Sequence, residues 1–432
     1  MPDEKKRADS IREYYVGAAA LDAAQTDPDA SIGGYPSSTE YLPLAAAVAS
    51  SPGDLTIEKV GGANGPGAGY LFAASADSLQ WKAPDDASYG TAVSIANGET
   101  KVLEASSDAA KFIRVTRNSA DALSGTGTVT ITDVYNNMYD NISSVEATAG
   151  DEYRVREYKN ENAIAILLLK FWLKSLGTER TTDTAQLSGY GAGTVQTSGD
   201  VSDWPDTGFL AIQTSAAALR EIVYYSALNT STGAATIPFA GRGLLGTKPK
   251  AGASDDTALP IPGIRIDVMP ATDVAAVVFS GSGLDDCTSG GTVTVKKCVD
   301  YVVEIDATGT PDTVQWSNDG GSTWEATDVS ITGAAQTLEN GVTVTFAGTT
   351  GHTLADSWAF TVGAAKAGAD EDTEPSGLTW VTPLAAAAGT GDGTGTLSQD
   401  EICYLHIHSE VPAGAVADPA WLDAVDFSFD AS

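Results

Sequence analysis

The side chains best suited to metal binding or proton transfer are scarce, because His352, His406 and His408 are the only histidines in the chain. His406 and His408 belong to the stretch LHIH, and a spacing of two places both imidazoles on the same face of a β-strand. Two imidazoles so placed can ligate a metal ion. The sequence offers no third ligand near them, so the pair is interpreted either as a metal site or as a pair at a surface or interface. No cofactor is predicted.

Other residue patterns that carry catalytic chemistry do not occur. The sequence has no G-x-S-x-G elbow, no phosphate-binding P-loop and no C-x-x-C pair. The stretch GTGDGTG at 389–395 lacks the lysine of a phosphate-binding loop and predicts a turn. The acidic pairs Asp255–Asp256 and Asp285–Asp286 fit either calcium ligands or solvated caps of loops. We therefore predict a protein without enzymatic activity.

The three cysteines, Cys287, Cys298 and Cys403, are too few for a disulfide framework. Cys287 and Cys298 flank TSGGTVTVKK, which predicts a hairpin with a Gly-Gly turn that would bring the two residues face to face. Free buried thiols are the alternative. The cysteines therefore leave the redox compartment open.

The charge of the chain argues against nucleic acid as a partner. Acidic residues number 57 and basic residues 24, which gives a formal net charge of −33. A surface of this sign repels phosphate backbones. The excess fits either a well-solvated exterior or adaptation to high salt.

The most apolar stretch, AIAILLLKFWLKS at 163–175, is too short for a membrane span, which needs about 20 mostly apolar residues. Lys170 and Lys174 interrupt it, and its flanks are polar. The stretch also lacks the alternation of a half-exposed strand, so it predicts a strand buried on both faces over 163–173. The predicted buried side chains are Ile164, Ile166, Leu168 and Phe171.

Short runs of Val, Ile, Thr, Tyr and Phe recur between clusters of Gly, Ser, Asn and Asp, as in GTVTITDVYNN and GVTVTFAG. Alternation with period two over fewer than about eight residues is typical of antiparallel β-sandwiches. We therefore predict an all-β, multi-domain protein with little helix. The only helix candidates are EKKRADSIREYYVGAAALDAA near the N-terminus and a short turn at DPAWLDA. In the compact β-module at 270–365, Trp316, Trp324 and Trp358 are predicted to fill a sandwich core.

Residues 1–80 are rich in Ala and Gly and poorly patterned, so they predict an extended segment that becomes ordered by docking on neighbouring subunits. Its predicted apolar anchors are Tyr14, Tyr15, Tyr41, Leu42 and Leu44. Residues 81–133 predict a small β-unit, and residues 366–375 predict a linker.

Several stretches together resemble structural proteins of tailed viruses. They are DPDASIGGYPSSTEY (27–41), YNNMYDNISSVEATAGDEYRVREYKNENAIAILLLKFWL (135–173), WPDTGFLAIQTSAAALREIVYYSALNTSTGAATIPFAGRGLLGT (204–247), VQWSNDGGSTWEA (314–326), and the C-terminal run from GLTWVTPL to DFSF. The resemblance is to virion and tail-associated proteins of tailed bacteriophages and of related tailed viruses of archaea. Where these relatives carry basic residues before PAGA, this chain has LHIHSE.

The resemblance implies that residues 134–178 and 376–432 are two halves of one jelly-roll-like domain, interrupted by β-modules at 179–269 and 270–365. It also implies location in the virion, in the tail, baseplate or capsid decoration, and partners that are copies of the chain and other virion proteins. The alternative is a receptor- or glycan-binding adhesin, for which exposed Trp204 or Tyr190 would qualify. A glycan-cleaving tailspike would show a repeat of β-helix coils, which the sequence lacks.

Overall fold

The regular structure of the chain is nearly all β, in a computed structural model that describes residues 11–21, 23–24, 31–41, 47–50, 55–57, 70–75, 77–82, 92–97, 100–104, 111–117, 120–122, 128–136, 150–161, 163–173, 175–182, 191–251, 256–385, 388–391, 393, 395–413, 415 and 425–431. Within these residues there is no helix of seven or more residues, which confirms the all-β prediction. The N-terminal helix candidate is wrong, because Ile11–Ala18 is a strand paired with Gly150–Asn160. The second candidate, DPAWLDA, lies outside the described residues.

The strands are numbered in chain order. β1 to β10 are Ile11–Ala18, Tyr35–Tyr41, Ala47–Ser50, Leu55–Ile57, Tyr70–Ser75, Ser78–Lys82, Val93–Ser94, Thr100–Glu104, Lys111–Arg117 and Thr128–Asn136. β11 to β20 are Gly150–Asn160, Ile166–Leu173, Arg180–Thr181, Gly193–Gln196, Gly208–Gln213, Leu219–Tyr225, Ala227–Asn229, Ala234–Ile237, Thr257–Ile261 and Ile264–Pro270. β21 to β31 are Val278–Ser280, Cys287–Gly291, Val299–Ala307, Thr313–Ser317, Ala326–Ser330, Gln336–Thr337, Val342–Phe346, Ser357–Val362, Thr396–Leu397, Ile402–Val411 and Val425–Ala431. A short 3₁₀ turn covers Phe239–Gly241.

A two-layer sandwich stands at the centre of the molecule. One layer is a five-stranded sheet in the order β2-β1-β11-β30-β20, and the other is the sheet β29-β12-β31. Their facing side chains form one apolar core, which includes Phe171 and Leu405. The predicted pairing of the two halves is present, because β11 pairs with β30 over ten positions and β12 pairs with β31. We call these two sheets the central sandwich.

The apolar run at 163–173 behaves only in part as predicted. Its strand begins at Ile166, and Ile166 and Phe171 are buried in the core, whereas the alternate side chains on its other face are half-buried. The prediction for Ile164 is wrong, since this side chain is 55% exposed. The reason is a turn: the buried Asn160 amide donates to the carbonyl oxygens of Ile164 (3.0 Å) and Leu397 (2.9 Å) and holds residues 163–165 outside the strand. Leu168 lies in β12, and its side chain lies outside the described residues.

Burial on both faces occurs instead in the module formed by residues 180–261. Its sheets are β13-β19-β15-β16 and β14-β18-β17. All six residues of β15 are buried. Leu210 faces the core between the module's own sheets, whereas Phe209 faces the core shared with the central sandwich. The predicted module boundary at residue 269 is wrong, because β20 belongs to the central sheet.

The N-terminal boundaries also differ from the prediction. β1 and β2 are strands of the central sheet, so residues 1–80 are not one extended segment. β3 to β10 form two further sheets, β3-β10-β9-β8 and β4-β5-β6-β7, in a module at 47–136 that extends beyond the predicted unit at 81–133. Buried Arg117 joins them by donating to the carbonyl oxygens of Ile95 (2.7 Å) and Asp121 (2.7 Å) and pairing with Asp77 (2.9 Å).

The module at residues 271–365 is a second sandwich, with sheets β21-β28-β23-β24-β25 and β22-β27-β26 around its own core. Alternating burial along β27 matches the period-two pattern of the sequence. Trp358 is fully buried, Trp316 is half-buried, and the prediction for Trp324 is wrong because this side chain is 37% exposed. Cys287 pairs with Phe346 across β22 and β27 rather than facing Cys298, and all three cysteines are free thiols.

Candidate functional site

One face of the central sheet carries an unusual number of polar side chains, and the two histidines of LHIH lie on it. The register places Tyr153, His408 and Arg265 in one row across β11, β30 and β20. The next row contains Val155, His406 and Asp267. On the opposite face, Leu405 and Ile407 of β30 and Ile266 of β20 pack into the apolar core, whereas β11 places the buried Arg154 and Arg156 beside them. The LHIH pattern therefore does put both imidazoles on one face, as predicted.

His408 is a neutral imidazole held on both sides. Arg265 Nε donates to His408 Nδ1 at 2.7 Å, so this nitrogen carries no proton. The Nε2–H group of His408 then donates to Asp151 Oδ1 at 2.8 Å. Burial and the positive charge of Arg265 lower the pKa of His408 to about 4. Tyr153 stacks on the ring with centroids 4.6 Å apart, and Trp380 lies 5.6 Å away.

His406 is buried to the same extent as His408 and has fewer partners. Its Nε2 lies 3.2 Å from the carbonyl oxygen of Lys366, to which it donates. Its Nδ1 is buried and has no hydrogen-bond partner among the described residues. Burial, with a smaller contribution from the Lys366 charge, lowers the pKa of His406 to about 4.

The polar face is covered by residues 363–381, which we call the cover segment and which include the predicted linker 366–375. The linker prediction is wrong, because this segment is bonded along the central sheet. Tyr404 Oη donates to the Gly363 carbonyl oxygen at 2.8 Å, Tyr153 N donates to the Glu371 carbonyl oxygen at 2.7 Å, and Thr379 N donates to Asp267 Oδ2 at 2.7 Å. The histidines therefore lie between a sheet and its cover, and the surface or interface location predicted for them is wrong.

The site is built to hold two layers together. Both nitrogens of His408 are occupied, and the described residues contain no group of three or more His, Cys, Asp or Glu side chains suited to a metal ion. The neutral imidazoles bind backbone carbonyl, carboxylate and guanidinium groups from three different segments. Their arrangement supports positioning of the cover segment over the sheet.

A second cluster, which sequence reasoning missed, surrounds His352 in module 271–365. Its Nδ1 lies 2.9 Å from Asp312 Oδ2 and its Nε2 lies 3.0 Å from Asp286 Oδ1. Burial alone would lower the pKa of His352, but the hydrogen bonds and charges of these two carboxylates raise it above its usual value. The buried ring of His352, whose two nitrogens both face carboxylate oxygens, therefore joins loops far apart in the sequence. No spacing in the sequence signals it.

The acidic pairs of the sequence also hold loops in place by accepting hydrogen bonds. Asp286 accepts from His352 and from Gly348 N at 2.6 Å, and Asp285 Oδ1 accepts from Trp358 Nε1 at 3.3 Å. Asp256 is buried and pairs with Arg220 at 3.2 Å. Asp255 lies outside the described residues. The carboxylates described here are thus held by internal donors.

A third polar cluster explains the EIVYY and RGLLGT stretches of the module 180–261. Glu221 and Arg242 form a two-point ion pair with distances of 2.7 and 2.9 Å, and both side chains are 1% exposed. Glu221 also accepts from the backbone N–H groups of Gly243 and Lys250, each at 2.9 Å. The pair therefore fixes the loop after the 3₁₀ turn to strand β16.

The residues predicted as assembly anchors have internal roles where they are described. Tyr15 is 3% exposed in the core of the central sandwich, so the assembly role predicted for it is wrong. Half-buried Tyr14 donates to Glu161 Oε1 at 2.5 Å. The side chain of Tyr41, at the end of β2, and residues Leu42 and Leu44 lie outside the described residues. β1 needs β11 as its partner, which is why these residues serve the fold.

Of the two aromatics that an adhesin would expose, Trp204 is buried. Trp204 is 5% exposed and donates from Nε1 to the Thr178 carbonyl oxygen at 2.8 Å. Tyr190 lies outside the described residues. In the part of the chain described above, no helix is long and apolar enough to cross a membrane. No protein-family model, curated protein or solved structure matches the chain.

Proposed function

We propose that this chain is a non-catalytic structural component of a tailed virus particle, located in the tail, the baseplate or the capsid exterior and assembled in symmetric copies. Its partners in this proposal are other copies of the chain and other virion proteins. The proposal starts from the resemblance of five stretches of the sequence to virion proteins.

One structural observation supports it above the others. The two stretches that resemble halves of one virion-protein domain, 135–173 and the C-terminal run, meet strand to strand through β11–β30 and β12–β31. They are separated by more than 200 residues in the sequence, and both β-modules between them have cores of their own. This pairing supports the interrupted domain that the resemblance implies.

The junctions between the parts are also suited to a rigid building block. Tyr35 Oη donates to Asp300 Oδ1 at 3.0 Å, Gly34 pairs with Ala365, and Lys296 Nζ donates to the Thr396 carbonyl oxygen. These bonds tie module 271–365 to the central sandwich at several points. A particle component that transmits position between neighbours needs such fixed geometry.

The test is to purify particles of the virus that encodes the chain and to locate an epitope tag inserted in the exposed turn at Thr230–Thr232. We expect the tag at symmetric positions on the particle, and a recombinant chain that sediments as a closed oligomer. Absence of the chain from particles, together with a monomeric recombinant protein, would contradict the proposal. Deleting residues 1–80 is not a clean test, because β1 and β2 belong to the central sheet.

A receptor- or glycan-binding role on the same particle is the second candidate, and Trp324 is the observation that favours it. This indole is 37% exposed beside a turn that Asp319 stabilises by accepting from Ser317 Oγ (2.6 Å) and Thr323 N (2.8 Å). An exposed indole on a fixed turn suits stacking on a sugar ring. Binding to a glycan array that is lost in Trp324→Ala would support this role, whereas unchanged binding would exclude Trp324 from it.

A further inference from the structure

The end of module 271–365 farthest from the central sandwich has the features of a docking surface. The module is anchored at the start of β23, where Asp300 binds Tyr35. β23 has nine residues and therefore extends about 27 Å away from this anchor. At its far end two loops meet, residues 281–286 and 347–356. We call these two loops the loop tip.

The loop tip is held together by carboxylates. Asp356 Oδ1 accepts from Ser282 N (2.9 Å) and Gly283 N (3.1 Å), and its Oδ2 accepts from Thr353 N (2.7 Å). Asp286 joins the same loops by accepting from Gly348 N at 2.6 Å and from the buried ring of His352 at 3.0 Å. Both loops therefore have a fixed shape before any partner arrives, which lowers the entropic cost of binding.

Large apolar side chains are exposed on this fixed frame. Leu354 is 61% exposed and Leu284 is 42% exposed. Leu284 lies over the turn of the other loop, since a Cβ added to Gly351 would be 3.2 Å from its Cδ1. Ala355, beside Leu354, has a φ of +66°, a strained conformation for a residue with a side chain. Val278, on the edge strand that leads into the tip, is 69% exposed.

The charge of the module indicates what kind of partner fits. Residues 271–365 contain twelve acidic side chains and only two lysines, Lys296 and Lys297, and no arginine. Lys296 is at the anchored end, bonded to Thr396, and neither loop of the tip contains a lysine or an arginine. Exposed Asp285 follows Leu284 directly. A second copy of this acidic tip would be repelled, whereas a basic surface would be attracted.

The geometry points to the loop tip as a docking site for a different protein that presents apolar side chains within a basic surface. Leu284 and Leu354 supply the apolar contact, and Asp285 with the surrounding acidic surface supplies attraction to the basic groups. This inference rests on the module's own surface and goes beyond the proposed virion role.

The test uses two synthetic peptides with equal numbers of lysines, one with leucines and one with serines in their place. Binding to the full-length chain is measured by fluorescence anisotropy at physiological salt. We expect the Lys/Leu peptide to bind at least about tenfold more tightly than the Lys/Ser peptide. Leu284→Ser/Leu354→Ser should remove this preference and leave weak, salt-sensitive binding. Asp285→Asn should weaken the binding of both peptides.

The matched control is Phe239→Ser, because Phe239 is 72% exposed on a different module. The preference for the Lys/Leu peptide should survive in this variant. Equal binding of the two peptides, a preference that persists in the double variant, or one that disappears in Phe239→Ser would each overturn the inference. Sedimentation is run in parallel: self-association of the wild type that the double variant lacks would make the occupant a second copy and refute the basic partner. None of these outcomes depends on whether the chain is found in particles.

Discussion

Replacing His352 by glutamine tests whether a charged imidazole holds the loop tip together. The imidazole is 5% exposed and bonds two carboxylates, and the side chain of one of them, Asp312, is 2% exposed. A glutamine amide can donate to one carboxylate and supplies no positive charge. Removing one partner of a buried charged pair costs about 3–5 kcal/mol. We expect the free energy of unfolding of module 271–365 to fall by about 3 kcal/mol at about pH 6.

The same substitution should change how stability depends on pH. The pKa of His352 is raised in the folded protein, so the folded state binds the proton more tightly than the unfolded state, whose pKa is near 6.5. The stabilisation is complete below that value and is lost as the pH rises through the folded-state pKa. Each unit by which the folded-state pKa exceeds 6.5 contributes about 1.4 kcal/mol. The stabilities of wild type and His352→Gln should therefore converge at alkaline pH.

Two measurements check this independently. Hydrogen exchange of peptides covering residues 281–286 and 347–356 gives the stability of the module against pH, and NMR titration of the ring protons gives the pKa of His352. The matched control is His406→Gln, because the His406 ring is already neutral across this range. A stability difference between wild type and His352→Gln that does not narrow as the pH rises, or a measured pKa below 6.5, would refute the reasoning.

Three further substitutions test the other packing arguments. Phe171→Ala should lower the free energy of unfolding of the central sandwich by about 3–5 kcal/mol, because Phe171 is fully buried with its ring 4.6 Å from Tyr158; a loss below about 1 kcal/mol in urea denaturation would contradict its core role. Glu221→Gln should lower the free energy of unfolding by about 3 kcal/mol or more, because it leaves Arg242 charged and buried, and it should speed hydrogen exchange over residues 219–250. Unchanged exchange there would show that the ion pair does not stabilise this segment. Tyr404→Phe should cost about 1 kcal/mol through the lost bond to Gly363, with faster exchange confined to the cover segment; a change spread over the whole chain would indicate a different role.

The fold could be predicted from the sequence where burial alternates along a strand. β23 and β27 alternate buried and half-buried residues, which matches the alternation seen in YVVEIDA and VTVTF. The argument from missing alternation was also sound, but the strands to which it applies best are β15 and β16. The run IVYY in β16 is buried throughout, and its unbroken apolar character was the available signal.

Local polar contacts explain where the predictions failed. Ile164 is apolar, and nothing near it in the sequence indicates that the Asn160 amide binds its carbonyl oxygen and keeps it out of strand β12. The same amide also binds the carbonyl oxygen of Leu397, which comes from a distant segment. The cluster around His352 shows the same limit. Asp312 and Asp286 are 40 and 66 residues away, so only the folded module brings them to the ring. The sequence shows that such residues are present, but it does not show which of them bind one another.

The order of strands in the central sheet explains why such large insertions are tolerated. Across the β11–β30 ladder, the side chain of His408 donates to Asp151 at a separation of 257 residues. Loop-closure entropy grows only logarithmically, by about 0.6 kcal/mol for each doubling of the loop, so a long insertion adds little to the cost of closing the ladder. The modules at 180–261 and 271–365 have apolar cores of their own, which offset the entropy of ordering their residues. Pairing across such distances is slow, because the ladder gains nothing until the whole loop has closed. We therefore expect the inserted modules to fold before the central sandwich.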